Sequence, residues 1–357
     1  MTVALVGVMV VFGIGLGSAA AAGAHVYWTA HSAIGRAASD GSGVDQGFIA
    51  TAAGPGGVAV DGHHIYWTQG VGSAFAIARA NQDGSGTDPN FITGLGTEGA
   101  VAVDAQHIYW QDYVDGAFTI GRADLDGSGV DHAFLHVAGG GFQGWLAVDG
   151  QHIYWTWTTS DGAGYIGEAN LDGSGVNESL IALGAGIQPA GIAVDAQHIY
   201  WTEFNLPGQD YSVGRAGLDG SHVDQLLIDH AGEDADGMAI DAQHIYWGVP
   251  ADHAVARADH DGSNVNMNFI SGIPSSPGEY YPSDVATEPG TLSVSKSGSG
   301  AGTVASAPAG IDCGQSCSGV FEDETSVALT ATPGPGSVFV GWSGAAAARE
   351  PRRARSP

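Results

Sequence analysis

Apolar and polar positions alternate along this chain in short runs, and one run returns at a steady interval. His25-Val-Tyr-Trp is followed by His64-Ile-Tyr-Trp, His107-Ile-Tyr-Trp, His152-Ile-Tyr-Trp, His198-Ile-Tyr-Trp and His244-Ile-Tyr-Trp, spaced 39 to 46 residues apart. A period of that size marks a repeat architecture. The unit is clearest around Gly191: Gly191-Ile-Ala-Val-Asp195, His198-Ile-Tyr-Trp-Thr202, Val213-Gly-Arg215-Ala216, Asp219-Gly-Ser221 and Val223-Asp-Gln-Leu-Leu-Ile228. Four apolar-rich runs punctuated by Gly and Asp predict four short strands per unit.

The turns have a chemical basis. Asp104, Asp195 and Asp241 begin Asp-Ala-Gln, and Asp61 and Asp149 begin Asp-Gly-His or Asp-Gly-Gln, between the first and second strands. Asp-Gly-Ser begins at Asp40, Asp83, Asp126, Asp172, Asp219 and Asp261, where Asp bonds nearby backbone and Gly accepts positive φ. Both are read as hairpin turns. A four-stranded sheet of such strands cannot bury two faces alone, whereas copies arranged around an axis cover one another. The expectation is an all-β fold: a six-bladed β-propeller of four-stranded blades over residues 25–288.

In that order, Gly-Ile-Ala-Val-Asp, Tyr-Trp-Thr, Arg and Leu-Asp-Gly-Ser resemble the YWTD, or low-density lipoprotein receptor class B, repeat. The resemblance implies a six-bladed propeller that binds ligands. The motif's terminal Asp stands only as Asp112, with Ala30, Gln69, Trp157, Glu203 and Val249 in the other copies. The repeat Arg is Arg36, Arg79, Arg122, Arg215 and Arg257, with Glu168 in the fourth. The first copy opens directly on its second strand, and Ser283-Asp-Val-Ala-Thr287 mimics the missing one, so this segment is expected to close the ring in the first blade.

Composition refines the picture at the ends. Residues 1–24 are apolar and small, ending near Ala-Ala-Ala-Ala22, which fits a signal peptide or, uncleaved, an anchor. The net charge of −28 sits in the propeller, where 33 acidic residues face 5 Arg, and excludes a nucleic acid partner. Residues 289–345 resemble a truncated divergent internalin-B-type module of bacterial surface proteins. Cys313 and Cys317 are the chain's two cysteines and, with no His nearby for zinc, are expected to form a disulfide clip. Residues 346–357 are expected to be a disordered tail.

What recurs in every copy serves the fold; what breaks the pattern is free for function. The six His and the Tyr-Trp pairs lie one per unit and are assigned to structure. The strand order places the second-to-third and fourth-to-first connections on one face, the top, and these are the irregular ones. They carry the candidate ligand-binding residues Asp112, Tyr113, Trp157, Glu203, Phe204, Tyr211, Glu233, Asp234 and Tyr280. Exposed aromatics beside carboxylates suit a peptide, a glycan or a cation. Glu98, Asp236 and Asp284 stand at the starts of innermost strands, where they would hold calcium at the channel mouth or leave an acidic, water-filled hole.

The expected function is a secreted or cell-surface, monomeric, non-enzymatic propeller that binds an extracellular protein, glycan or cation on its top face. One alternative is a metal-dependent propeller enzyme of lactonase or lyase type with its site at the channel mouth. Another is an adhesion component of the cell envelope.

Overall fold

The computed structural model describes residues 4–12, 25–137, 143–275, 281–298, 301–307, 311–313, 316–321, 328–335 and 337–343. The chain divides into two compact units, one built on Gly23–Pro289 and the other on Met1–Ala22 with Gly290–Phe321 and Thr325–Pro357.

The first unit is the six-bladed propeller. Blade 2 shows the plan: Pro55–Val60 innermost, then His64–Val71, Ala74–Asn81 and Asp88–Leu95, each antiparallel to its neighbour. Five blades are continuous in sequence. Blade 1 is assembled from both ends of the unit: Val285–Thr287 is its innermost strand, beside His25–Ala30, Ala33–Ala38 and Asp45–Ala50. The registers Val26↔Thr287, Tyr27↔Ala286 and Trp28↔Val285 close the ring as the sequence led us to expect.

Period-two alternation sends Tyr and Trp of each copy to opposite faces of the blade, and this couples the blades. Tyr27 shares a buried cluster with Trp67, Tyr66 with Trp110, Tyr109 with Trp155, Tyr154 with Trp201, Tyr200 with Trp247, and Tyr246 with Trp28. Six interfaces therefore use one recipe, and the last returns to the first blade. Each buried aromatic contributes on the order of 2–3 kcal/mol.

Polar groups repeat just as regularly at the bottom. Asp104 Oδ1 accepts the backbone N–H groups of Gln106 and His107, while its Oδ2 accepts the Tyr109 hydroxyl at 3.0 Å. Asp61, Asp149, Asp195 and Asp241 do the same in their blades. Blade 1 has Glu288 at this place, accepting from Tyr27 at 2.7 Å. In the next turn, Ser128 N–H donates to Asp126 at 2.8 Å and Gly127 has φ 84°, a hairpin with Asp bonded to backbone.

The repeat Arg joins neighbouring blades. Arg36, Arg79, Arg122, Arg215 and Arg257 donate to the carbonyls of Gln82, Leu125, Leu171, His260 and Ser39, each just before the Asp-Gly-Ser turn of the following blade. Four of these guanidinium groups lie 3.7–4.3 Å from the centroids of Phe48, Phe91, Phe134 and Phe269.

In the second unit, Gly290–Gly298 pairs antiparallel with Ser316–Phe321, and Gly302–Ala307 pairs with Asp312–Cys313 and Ala328–Pro333. Ala4–Phe12, inside the expected leader, pairs with Gly290–Gly298 and runs parallel to Ser337–Ser343. Residues 13–24 and 346–357, and the Cys313 and Cys317 side chains, lie outside the described residues.

Candidate functional site

The six innermost strands enclose a central cavity of about 120 Å³, lined chiefly by aliphatic side chains such as Val58, Val101, Leu146, Ile192 and Met238. Asp284, Thr287 and Trp145 also line it. Carboxylates stand at both ends of the inner strands, as Asp61, Asp104, Asp149, Asp195, Asp241 and Glu288 below and as Glu98, Asp236 and Asp284 above.

The position just before the inner-strand aliphatics is small in four copies, Gly57, Ala100, Gly191 and Gly237, but Trp145 in blade 4 and Asp284 in blade 1. A Cβ on Gly237 would sit 2.3 Å from Asp284 Oδ1, so a small residue there lets the carboxylate lean against blade 6. Asp284 is 5% exposed and accepts backbone N–H groups from Val58 at 2.8 Å and Val285 at 2.9 Å. Burial pushes its carboxyl well above the usual range. Trp145 reaches over blade 5 and donates its indole N–H to Asp236 of blade 6 at 2.7 Å. Desolvation raises Asp236 to about 7. Glu98 packs its Cγ against Gly56 of blade 2 and is likewise raised to about 7 by desolvation. Its Oε1 is buried and has no hydrogen-bond partner.

Glu98, Asp236 and Asp284 thus stand just ahead of the innermost strands of blades 3, 6 and 1, and of the three Asp284 lines the cavity. They do not make a compact metal cage. Among the described residues, the one group of three acidic or His side chains with ligand atoms all within 4.8 Å of one another is Asp210, Asp229 and His230, on the outer top edge of blade 5.

The remaining candidates fall into two sets. Tyr113 with Phe118, Trp157 with Tyr165, and Phe204 with Tyr211 are cross-strand pairs at the top hairpins of blades 3, 4 and 5, with ring centroids 4.8, 4.8 and 4.7 Å apart. Tyr113 is 43% exposed. Tyr113 and Phe204 stand three positions after the Trp of their blade, where blade 2 has Gly70 opposite Phe75 and blade 4 has Thr158 opposite Gly164, whereas Trp157 stands two after, where blade 1 has Ala30 opposite Ala33 and blade 6 has Val249 opposite Ala254. Three blades thus carry a cross-strand aromatic pair, on one face of the sheet in blades 3 and 5 and on the other in blade 4. Tyr211 donates to Asp234 at 2.7 Å, which with burial raises its hydroxyl to about 12, and Glu233 is exposed beside it. Tyr280 lies outside the described residues.

Asp112 and Glu203 belong to the interior, not to the top surface. They are 0% and 1% exposed. Asp112 accepts from the Trp110 indole at 2.9 Å and from Gly96 N–H at 2.7 Å, and lies 2.7 Å from His132 Nδ1. Glu203 accepts from Trp201 at 2.6 Å, and burial raises it to about 7. Gln69 does the same for Trp67, Gln46 for Trp28, and the Ala231 carbonyl for Trp247. In blade 4, where Trp157 takes this place, the Trp155 indole N–H is buried without a partner.

Residues 197–242 match the family model described as low-density lipoprotein receptor repeat class B. No curated protein matches the chain. Among solved structures, a chain of the nidogen/laminin complex is 19% identical with a TM-score of 0.55, over 74% of this chain and 98% of that one. TolB from Acinetobacter baumannii is 13% identical with a TM-score of 0.57, over 74% and 66%. A GH74 enzyme from Niastella koreensis is 13% identical with a TM-score of 0.50, over 72% and 44%. At these identities the likeness is one of fold, and it spans binding proteins and enzymes alike. The fold defines the class: a six-bladed β-propeller, one stretch of which matches the class B repeat.

Proposed function

We propose that the propeller is a non-enzymatic binding domain of the cell exterior that engages a protein partner through its top face. The observation that carries this reading is the set of cross-strand aromatic pairs. Exposed or partly exposed rings stand at the top hairpins of three consecutive blades, whereas the bottom repeats the same turn in every copy. The class B match and the likeness to a chain of the nidogen/laminin complex support a partner that is a protein. In this reading residues 1–24 direct export, and the Cys313–Cys317 clip forms in an oxidising compartment.

The test compares two triple variants of the full chain, Tyr113→Ser, Trp157→Ser and Tyr211→Ser on top against Asp83→Asn, Asp126→Asn and Asp172→Asn below. Partners are taken by cross-linking on the native cell surface, and affinity is measured with the purified partner. The top variant is expected to weaken binding by about 100-fold while the bottom variant leaves it unchanged. The reverse pattern would refute the assignment of faces.

A further inference from the structure

We propose that Asp115-Gly116, at the top hairpin of blade 3, is a site of spontaneous backbone modification. There the aspartyl link rearranges to an isoaspartyl one and becomes a substrate for an enzyme that methylates isoaspartyl carboxylates. The site lies on the hairpin that carries Tyr113, and it stands whether or not the binding reading above holds.

The reaction is an internal displacement. The main-chain nitrogen of the Gly attacks the Asp Cγ, and the carboxyl hydroxyl leaves with the amide proton as water. Hydrolysis of the resulting five-membered succinimide takes the water back. When it breaks the bond from nitrogen to the original main-chain carbonyl carbon, the chain is left running through Cβ and Cγ with the α-carboxylate free. Nothing is oxidised or reduced, and Gly is the favourable neighbour because no side chain hinders its nitrogen.

Eleven Asp-Gly pairs stand in the chain, and in the ten others the fold holds the reacting groups. In the six Asp-Gly-Ser turns the Asp Oδ1 accepts the Ser N–H, and the Gly N–H donates to the carbonyl three residues back. Asp61 and Asp149 each accept two backbone N–H groups and a Tyr hydroxyl. The Gly162 N–H donates to the Thr159 carbonyl at 2.9 Å, and the Thr159 hydroxyl donates to Asp161. Asp236 accepts the Trp145 indole N–H, and the Gly237 N–H donates to the Ser283 carbonyl at 3.1 Å. Each of these pairs must break hydrogen bonds before nitrogen and carboxyl carbon can meet.

Asp115-Gly116 is built differently. With φ of 53° and 85° and Val114 opposite Ala117, these are the two central residues of a type I′ hairpin turn, and both are exposed. The bond that closes such a turn joins the flanking residues, so the centre is left to solvent. Among the described residues, neither the Asp115 carboxyl nor the Gly116 N–H has a partner. A Cβ placed on Gly116 would meet no atom within 4 Å, so the ring has space to form. The product lengthens the main chain by one carbon in a turn whose length sets the strand register. The next pair beyond the turn is Tyr113 opposite Phe118, with ring centroids 4.8 Å apart, and modification displaces it.

The experiment keeps the full chain for several weeks in warm, mildly acidic buffer, folded or in guanidinium chloride, and then digests it. The isoaspartyl content at each Asp-Gly pair is read by electron-transfer fragmentation and by methyl transfer from S-adenosylmethionine with a protein-isoaspartate methyltransferase. In the folded protein Asp115 is expected to lead every other pair by about tenfold, because the others react only after local opening. In denaturant all the pairs should fall within about threefold of one another. An even distribution in the folded protein, another pair ahead, or the same lead in denaturant would each overturn the proposal. Asp115→Glu, whose longer side chain cannot close the five-membered ring, should leave that peptide without methyl acceptance; methylation there at the original level would also overturn it. In the isoaspartyl fraction, hydrogen exchange across Tyr113 to Phe118 should quicken while the hairpin from Val71 to Ala74 stays as before, and unchanged exchange at Tyr113 would break the link to the ring pair.

Discussion

The two ends of the propeller were built under different constraints. At the bottom, five blades use the same Asp to cap a turn and hold a Tyr hydroxyl, and five of the six extend an Arg to the next blade. At the top, blades 3 to 5 carry aromatic pairs and blades 6, 1 and 2 do not. Uniformity marks the groups that close the ring, and irregularity marks those released from that duty. Carboxylates differ in the same way: at the bottom backbone and Tyr donors recur on the equivalent Asp of each blade, whereas at the top Asp284 takes backbone N–H groups, Asp236 takes an indole and Glu98 leaves its Oε1 without a donor.

The strongest way to break this comparison is to remove the shared part. Ending the chain after Ser275 deletes Val285–Thr287 and Glu288, leaving the inner edge of His25–Ala30 unpaired. Calorimetry is expected to show a broader transition and a Tm lower by roughly 10 °C or more. An unchanged melt would mean that closure contributes nothing, and the bottom-to-top division would lose its basis.

A second test separates the interior carboxylates from the surface ones. Glu203 has an ordinary value of 4.5 in the open chain and about 7 when folded. Folding therefore takes up a proton between those values: the protein is at no disadvantage below about 4.5, loses stability as pH rises to about 7, and stays at the lower level above. The loss is on the order of 3 kcal/mol. Glu203→Gln, which copies what Gln69 does for Trp67, should raise Tm at pH 8 and leave it unchanged at pH 4. A Tm gain of equal size at both pH values would show that the effect is packing, not ionisation.

The smallest expected effect sharpens the role of the Arg. Arg122→Met keeps the stem but removes the charge over Phe134 and the donor to the Leu171 carbonyl. About 1 kcal/mol should be lost in denaturant unfolding, with no change in partner affinity. A loss of affinity at constant stability would place function at the bottom.

Much of the architecture was legible because repetition averages out local noise. Six His-x-Tyr-Trp phrases fixed the blade count, and Ser283-Asp-Val-Ala-Thr287 was recognisable as the strand missing from the first copy. The surface reading of Asp112 and Glu203 failed for a reason that was itself in the sequence. Each stands two positions after a Trp, and period-two alternation places such residues on the same face as the indole, in reach of its N–H. Trp145 was overlooked although it interrupts a position that is Gly or Ala in four copies. Its bond to Asp236 spans 91 residues and two blades, a relation that no local pattern encodes. The upward pull of burial on the Glu98 and Asp236 carboxyls was equally hidden, since it depends on which side chains shield them from water.

The strand Val285–Thr287 has a consequence for biosynthesis. During translation the first blade emerges with three of its strands and must wait until the ribosome has released some 240 further residues before the fourth arrives. Throughout that interval the backbone groups of His25–Ala30 are open to any passing extended segment, including the innermost strand of another blade. The Gly and Pro that break up the intervening loops, and the heavy negative charge that keeps nascent copies apart, are suited to guarding this exposed seam until its own partner is made.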